Sequence, residues 1–170
     1  MKREKQIQES KNMIKDALFT LLLEKNFRYI SISEITAKAG VARMTFYRNF
    51  SSKEEIILYL FQSILKEIKD EVMKIPTPSI KDLIRIRFAI IQKNRYIHQL
   101  VDKNEIRELL IEFRKININS FDHLLPPPPA DRYSREYKMG GIQSVTELWI
   151  KSGMKESPEE MTDRILRLVL

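Results

Sequence analysis

Hydrophobic residues recur at intervals of three and four along most of the chain, which places them on one face of an α-helix. The pattern predicts a first helix that begins between Gln6 and Ser10 and ends at Lys25. A long helix is predicted over residues 51–74, because Pro76 and Pro78 cannot continue it. Five further helices are predicted over residues 79–92, 96–101, 105–124, 130–152 and 157–170. With two short helices between the first and the long one, the fold class predicted is all-α, with about nine helices.

The stretch over residues 31–53 predicts two short helices that meet at a glycine. Ser31 followed by Glu34 is a capping-box pattern, so we expect the first short helix to begin there. Gly40 can adopt the left-handed conformation that a sharp turn needs. In the second short helix, the spacing places Ala42, Phe46 and Phe50 on one inward face. Ser51 and Glu54 are expected to form another capping box at the start of the long helix.

The outward face of the second short helix carries Arg43, Met44, Tyr47 and Arg48. Two short helices joined at a glycine, with such a face on the second, predict a helix-turn-helix that enters the major groove of double-stranded DNA. Arg43 is predicted to contact a guanine edge and Met44 a thymine methyl group. Phosphate contacts are predicted for Ser31, Ser33, Thr45, Tyr47, Asn49 and Lys53. The alternative for Arg43 is a solvated charge at a helix start.

Three strings in this region are ISEITAKAGV, TFYRNF and SKEE, and residues 10–60 resemble the TetR family of bacterial transcriptional regulators. The chain departs from the family pattern at three positions. Ala42 stands where a Ser or Thr cap is usual, and Asn49 replaces a frequent His. Asn26 replaces a Gly after the first helix, and Asn is the next best residue for a left-handed turn.

The resemblance implies a three-helix DNA-binding domain over residues 1–53 and a helical effector-binding and dimerisation domain over residues 54–170. The long helix would join the two domains and transmit the effector signal. The implied function is a dimeric, sequence-specific repressor that a small apolar molecule releases from a palindromic operator. The alternative is a regulator, or an activator, controlled by a protein partner through its C-terminal domain.

The net charge of +7 is concentrated near the N-terminus, where residues 1–53 carry 11 Lys and Arg against 5 Asp and Glu. Together with the motif, this asymmetry favours a surface that faces phosphates over an ordinary solvated basic face. The chain lacks cysteine, an apolar run of about 18 residues and a secretory h-region. We therefore expect no membrane association and a cytoplasmic protein, associated with the nucleoid when bound to DNA.

Enzyme chemistry is not indicated by any motif. The four glycines do not form a phosphate-binding loop, and His98 and His123 lack an obvious carboxylate or nucleophile partner. The sequence therefore predicts a binding protein that is not an enzyme and uses no metal or cofactor.

The resemblance implies an effector pocket between the fourth and seventh predicted helices, and we expect it to be mainly apolar because bulky apolar residues recur on the faces of four helices beyond the DNA-binding domain. Its predicted lining is Phe61, Leu65, Ile86, Ile90, His98, Leu110, Phe113 and Trp149. A tightly packed core is the alternative.

The last two helices are predicted to form a four-helix bundle with their copies in a homodimer. The predicted interface consists of Tyr137, Gly141, Val145, Leu148, Met161, Ile165, Leu168 and Val169, with Trp149 on the same face as Leu148. Burial of both faces within one chain is the alternative.

Two shorter predictions concern the N-terminal region. Lys2, Arg3 and Lys5 are predicted to form a flexible arm before the first helix, which is either an ordinary disordered terminus or a contact to DNA phosphate or the minor groove. The aromatic residues Phe27 and Tyr29, with Ile30, are predicted to fill the core between the first two helices.

Overall fold

The structure is a computed structural model that describes residues 2–94, 96–100, 106–109, 111 and 131–169. These residues form α-helices and one short 3-10 helix, Phe27–Tyr29, and no strand occurs among them. The helices are α1 (Lys2–Glu24), α2 (Ile32–Ala39), α3 (Arg43–Asn49), α4 (Lys53–Val72), α5 (Ile80–Lys93), α6 (Ile97–Leu100), α7 (Arg132–Lys151) and α8 (Pro158–Val169). The all-α prediction is confirmed. Of the helix predicted over residues 105–124, residues 106–109 and 111 are helical, and the others lie outside the described residues.

The described residues divide into two compact units. The first contains residues up to 62 and those of the segment 103–113, and the second contains residues 63–102 and those from 114 onward. Helix α4 is continuous from Lys53 to Val72 and contributes its first half to one unit and its second half to the other. The boundary predicted after residue 53, where the DNA-binding motif would end, stays a prediction.

The core of the first unit forms where α1 packs against α2 and α3. The apolar stripe of α1 is buried from Ile14 to Leu22, and Ile35 of α2 and Phe46 of α3 are buried as well. Side chains that are at most 2 % exposed in this unit are Ile14, Leu18, Phe19, Ile30, Ile35, Phe46, Phe50, Ile56, Ile57, Leu60 and Ile106.

Three predictions about the N-terminal region are wrong. Helix α1 begins at Lys2, so Lys2, Arg3 and Lys5 are helical and do not form an arm. The reason is that Lys, Arg, Glu and Gln favour a helix, and the segment contains no Gly or Pro. The helix start predicted between Gln6 and Ser10 is wrong for the same reason, because α1 already begins at Lys2. Tyr29 is 71 % exposed, whereas Phe27 and Ile30 are buried as predicted, because the 3-10 turn directs Tyr29 toward solvent.

Asn26 also differs from its expected conformation. Its φ of −68° and ψ of 142° are extended rather than left-handed, and its side-chain oxygen accepts a hydrogen bond from the Arg28 N–H. Asn26 therefore caps the start of the 3-10 helix, a role for which Asn is suited because its short side chain reaches nearby backbone.

Helix starts in this protein use serine and carboxylate pairs. The predicted box at Ser31 and Glu34 is present, and Ser157 and Glu160 form another, each with hydrogen bonds in both directions. The predicted pair of Ser51 and Glu54 is wrong by one residue. The Glu55 N–H donates to Ser52 Oγ, and the Glu55 carboxylate accepts from the backbone and hydroxyl of Ser51. Helix α4 therefore begins at Lys53.

The second unit is built from α5 packed against α8 and α6 packed against α7. The rings of Phe88 and Trp149 meet edge to face, with centroids 5.0 Å apart. The indole N–H of Trp149 donates to the Glu156 carbonyl at 3.0 Å, so this side chain also holds the turn between α7 and α8. Among the helices described, none has the length and apolar character needed to cross a membrane.

Candidate nucleic-acid interface

Helices α2 and α3 are joined by a turn that depends on Gly40. Its φ of 66° lies in the left-handed region, which a residue with a Cβ adopts only at a cost. The Gly40 N–H donates to the Ala37 carbonyl at 3.2 Å, and the Val41 N–H donates to the Thr36 carbonyl at 3.1 Å. This closed turn sets the direction of α3 relative to α2, as the sequence predicts.

The start of α2 is held by a cluster around Glu34. Its carboxylate accepts from the Ser31 N–H at 2.9 Å and from the Ser31 hydroxyl at 2.7 Å, while Lys25 Nζ contacts its other oxygen. The Lys25 hydrogen bond and those from Ser31 lower the pKa of Glu34 to about 2. The cluster thus places a charged carboxylate at the positive end of the α2 dipole.

Helix α3 separates a buried face from an exposed one. Phe46 is fully buried, and Phe50, the residue after α3, is 2 % exposed, with ring centroids 6.2 Å apart. Ala42 is exposed, so its predicted inward position is wrong: it is the N-cap residue, outside the helix, and makes no side-chain cap hydrogen bond. The four residues predicted for the outward face are all exposed: Arg43, Met44, Tyr47 and Arg48.

The predicted phosphate contacts lie in more varied surroundings. Ser33 is exposed in the first turn of α2, and Thr45 is half-buried on α3. The hydroxyl of Ser31 is already engaged with Glu34 in the capping box. Asn49 is half-buried and donates from Nδ2 to the Thr45 carbonyl at 2.7 Å, which restricts how its amide can meet DNA.

Lys53 is held differently from a free surface lysine. Its ammonium donates to the backbone carbonyls of Phe27, Arg28 and Ile30, at 2.7, 3.1 and 2.9 Å. A lysine ammonium has three N–H donors, so these bonds use the hydrogens that a phosphate contact would need.

Sequence reasoning missed one exposed feature of this region. Arg28 and Tyr29 lie on the solvent side of the 3-10 turn that leads into α2, and Tyr29 is 71 % exposed. An aromatic residue between two apolar neighbours resembles a core residue, and only the turn geometry shows that it points outward.

The residues predicted for an effector pocket are partly described. Phe61 is buried in the first unit, Leu65 is half-buried, and Ile86, Ile90 and Trp149 are buried in the second unit. Leu110, Phe113 and the His98 side chain lie outside the described residues. The pocket therefore stays a prediction.

The residues predicted for a dimer interface fall into two groups. Tyr137, Leu148 and Leu168 are 80 %, 68 % and 65 % exposed, although they are large and apolar. Met161 and Ile165 are buried, at 3 % and 1 %, because these two side chains of α8 face the core of their own unit. The side chain of Val169 lies outside the described residues.

A groove of about 120 Å³ lies between α7 and α8, and the exposed residues Tyr137 and Leu168 are part of its lining. It is lined by Tyr137, Lys138, Gly141, Ile142, Val145, Ile165 and Leu168. Within the part of the chain that the structure describes, no three His, Asp or Glu side chains come together as a metal site would require.

Family models match nearly the whole chain. A model of bacterial regulatory proteins of the tetR family matches residues 14–60, and a model of a transcriptional regulator C-terminal region matches residues 42–170. The chain is 24 % identical to the fatty acid metabolism regulator protein of Bacillus subtilis, covering 91 % of each protein. It is 23 % identical to the transcriptional regulator BetI of Rhizobium meliloti, over 84 % of this chain and 77 % of that protein.

Solved structures share the fold along most of their length. The fatty acid degradation regulator FadR of Bacillus halodurans superposes with a TM-score of 0.69 at 19 % identity, over 94 % of each chain. FadR of Bacillus subtilis, in complex with stearoyl-CoA, gives a TM-score of 0.63 at 18 % identity, over 92 % of this chain and 96 % of that one. The dihydroxyacetone kinase operon activator DhaS gives 0.58 at 19 % identity, over 94 % and 93 %.

Proposed function

This chain belongs to the TetR family of bacterial regulatory proteins, and we propose that it is a dimeric repressor which a small molecule releases from a palindromic operator. As a regulator, it acts by binding rather than by catalysis. Its place of action is the cytoplasm, on nucleoid DNA. The observation that carries the proposal is the two-sided helix α3, which buries Phe46 and turns four side chains suited to a DNA groove toward solvent.

In the proposed complex, α3 lies in the major groove, which is wide enough for an α-helix. Arg43 reads a guanine edge and Met44 contacts a thymine methyl group, while Arg48 and Tyr47 extend the contact along the groove. Ser33, Thr45 and the first N–H groups of α2 hold phosphates. We leave Lys53 out of the proposed contacts, because its donors are used within the protein.

The proposed dimer uses the exposed face of α7 and α8. Exposed large apolar side chains clustered beside a groove are typical of an interaction surface. Tyr137, Leu148 and Leu168 supply the apolar contact, and Gly141 allows close approach of a second copy. A stable dimer would bury well above about 1,000 Å² in total, which two helices of this length can provide with their copies.

The proposed effector binds within the C-terminal helices. Support comes from the relatives: one is a fatty acid metabolism regulator, and one similar structure holds stearoyl-CoA. The buried apolar residues Ile86, Ile90 and Trp149 are compatible with such a ligand. We therefore take a long-chain acyl thioester as the first effector to test.

A second candidate function is a regulator controlled by a protein partner. In this candidate the protein could act as an activator, the role named for DhaS, whose fold is similar. The two candidates share the same DNA-binding surface. They differ in the signal that changes DNA binding, which is a small molecule in the first and a protein in the second.

The experiment that tests the proposal begins with selection of bound DNA fragments from the genome of the source organism. We expect an inverted repeat in the selected fragments. The purified protein is then titrated on that DNA with stearoyl-CoA, with free CoA as the matched control. Release by stearoyl-CoA alone supports the acyl effector. The second candidate is favoured if neither stearoyl-CoA nor free CoA changes DNA binding, and if only a cell extract releases the protein from the DNA or tightens its binding. Failure to enrich any sequence would refute both.

A further inference from the structure

The first residue of α4 is tied to the turn between α1 and α2. Lys53 Nζ lies 2.7 Å from the Phe27 carbonyl oxygen, 3.1 Å from that of Arg28 and 2.9 Å from that of Ile30. All of these residues belong to the first unit. The bonds cross 23 to 26 positions of sequence and join the start of one helix to the approach of another.

The three carbonyls that accept hydrogen bonds from Lys53 belong to a segment that is held in place at both ends. Phe27 and Ile30 are buried at 3 % and 2 %, and Asn26 caps the turn from the other end. The next residue, Ser31, is the N-cap of α2. A shift of Lys53 would therefore move the Ile30 carbonyl, which is one residue before the N-cap of the helix-turn-helix.

The ammonium also lies 4.7 Å from the centre of the Phe27 ring, a distance typical of a cation–π contact. The ammonium is thus surrounded by three carbonyl oxygens, which use its three N–H donors, and by the face of the Phe27 ring. A phosphate oxygen could be bound only if one of the carbonyl hydrogen bonds were given up.

We propose that Lys53 is a positioning residue, which clamps the start of α4 to the segment before α2 and so holds the DNA-reading helices in place. This inference rests on the proposed DNA-binding function of the first unit. It assigns to Lys53 a role different from the phosphate contact that its charge and position in sequence predict.

Arginine distinguishes the two roles. A guanidinium is planar, and its five N–H groups form a rigid fork that suits a phosphate at least as well as an ammonium does. Three carbonyls that converge on one point fit the tetrahedral ammonium and do not fit a planar fork. Lys53→Arg therefore keeps the ability to bind a phosphate but cannot form the clamp.

The experiment compares Lys53→Arg and Lys53→Met with Lys38→Met, which removes an exposed lysine of α2 in the same unit. Thermal unfolding and binding to the selected operator are measured for each protein, at several salt concentrations. We expect both Lys53 variants to lower Tm by about 3–8 °C. Operator affinity of the folded protein should fall by about tenfold at each salt concentration, with an unchanged salt slope.

A second readout follows the ammonium itself by ¹⁵N NMR, in the wild-type protein. A lysine ammonium held by three carbonyls should exchange its hydrogens slowly enough to give an observable Nζ signal. The signal should be absent from Lys53→Met, which identifies it, and should keep its shift when operator DNA is added.

The outcomes separate the two roles and the two proposals. If Lys53→Arg binds DNA as the wild type does, Lys53 is a phosphate ligand and the clamp is refuted. The same conclusion follows if Lys53→Met leaves Tm unchanged and lowers the salt slope by about 0.9, the value for one phosphate. A shift of the Nζ signal on DNA binding would also count against the clamp. If the wild type binds no DNA, the proposed function fails, whereas Tm and the Nζ signal still test the clamp.

Discussion

The Arg43 guanidinium lies against Tyr47, one helical turn further along α3. Arg43 Nη2 is 3.3 Å from the Tyr47 hydroxyl oxygen, and the guanidinium carbon is 5.7 Å from the centre of the Tyr47 ring. Both side chains are on the outward face. This contact limits the rotamers of Arg43 before DNA is bound, so less side-chain entropy is lost on binding.

Arg43→Ala should reduce operator affinity by about 1–3 kcal/mol and relax the preference at one base pair in each half-site. The matched control is Tyr47→Phe, which removes the hydroxyl acceptor but keeps the ring beside the guanidinium. We expect this control to retain the base preference and to lose less affinity. Binding-site selection with each variant measures both effects. Unchanged base preference in Arg43→Ala would show that Arg43 is only a solvated charge.

Ala42→Ser should stabilise the protein by about 1 kcal/mol. Ala42 is exposed, has the extended conformation of an N-cap residue, and supplies no side-chain acceptor to the start of α3. A serine hydroxyl there can accept from an N–H group in the first turn. Urea unfolding measures the change. Ala37→Ser, the same replacement at an exposed position inside α2, is the control and should not stabilise. Equal effects of the two changes would contradict the capping argument.

Leu148→Glu or Leu168→Glu should convert the proposed dimer into a monomer at micromolar concentration. Both side chains are more than half exposed in one protomer, so a charge costs little there but is expensive in an apolar interface. Sedimentation equilibrium measures the mass. Leu23→Glu, at a position of α1 that is 70 % exposed, is the control and should leave the mass unchanged. A wild-type protein that is itself monomeric would contradict the proposed interface.

Acid should destabilise the start of α2 through Glu34. The pKa of this carboxyl is about 2 in the folded protein, below its ordinary value of 4.5, so the ionised form favours folding. Its contribution is complete above about pH 4.5 and is lost as the pH falls toward 2. Glu34→Gln should therefore lower the free energy of unfolding at about pH 6, and its difference from the wild type should shrink between about pH 4.5 and pH 3. Glu9→Gln, an exposed glutamate of α1, is the control. A constant difference across this range would contradict the assignment.

The sequence by itself determined the helices and the helix-turn-helix, because their signals are local. The Ser31 and Glu34 box, Gly40 and the spacing of Phe46 and Phe50 all act within one or two helical turns, and each is present in the structure as predicted. The side chains predicted to face DNA from α3 point outward for the same reason: the period of an α-helix assigns faces without knowledge of the rest of the chain.

Only the tertiary structure decided what lies opposite each face. The amphipathic pattern of α8 shows that Met161, Ile165 and Leu168 are apolar, but packing against α5 buries the first two and leaves Leu168 exposed. Tyr29 looks like a core residue between Phe27 and Ile30, and the 3-10 turn directs it to solvent. Lys53 is 26 positions from the Phe27 carbonyl that it binds. The packing of the helices determines which distant residue Lys53 contacts, because the helix propensities of nearby residues carry no information about such a contact.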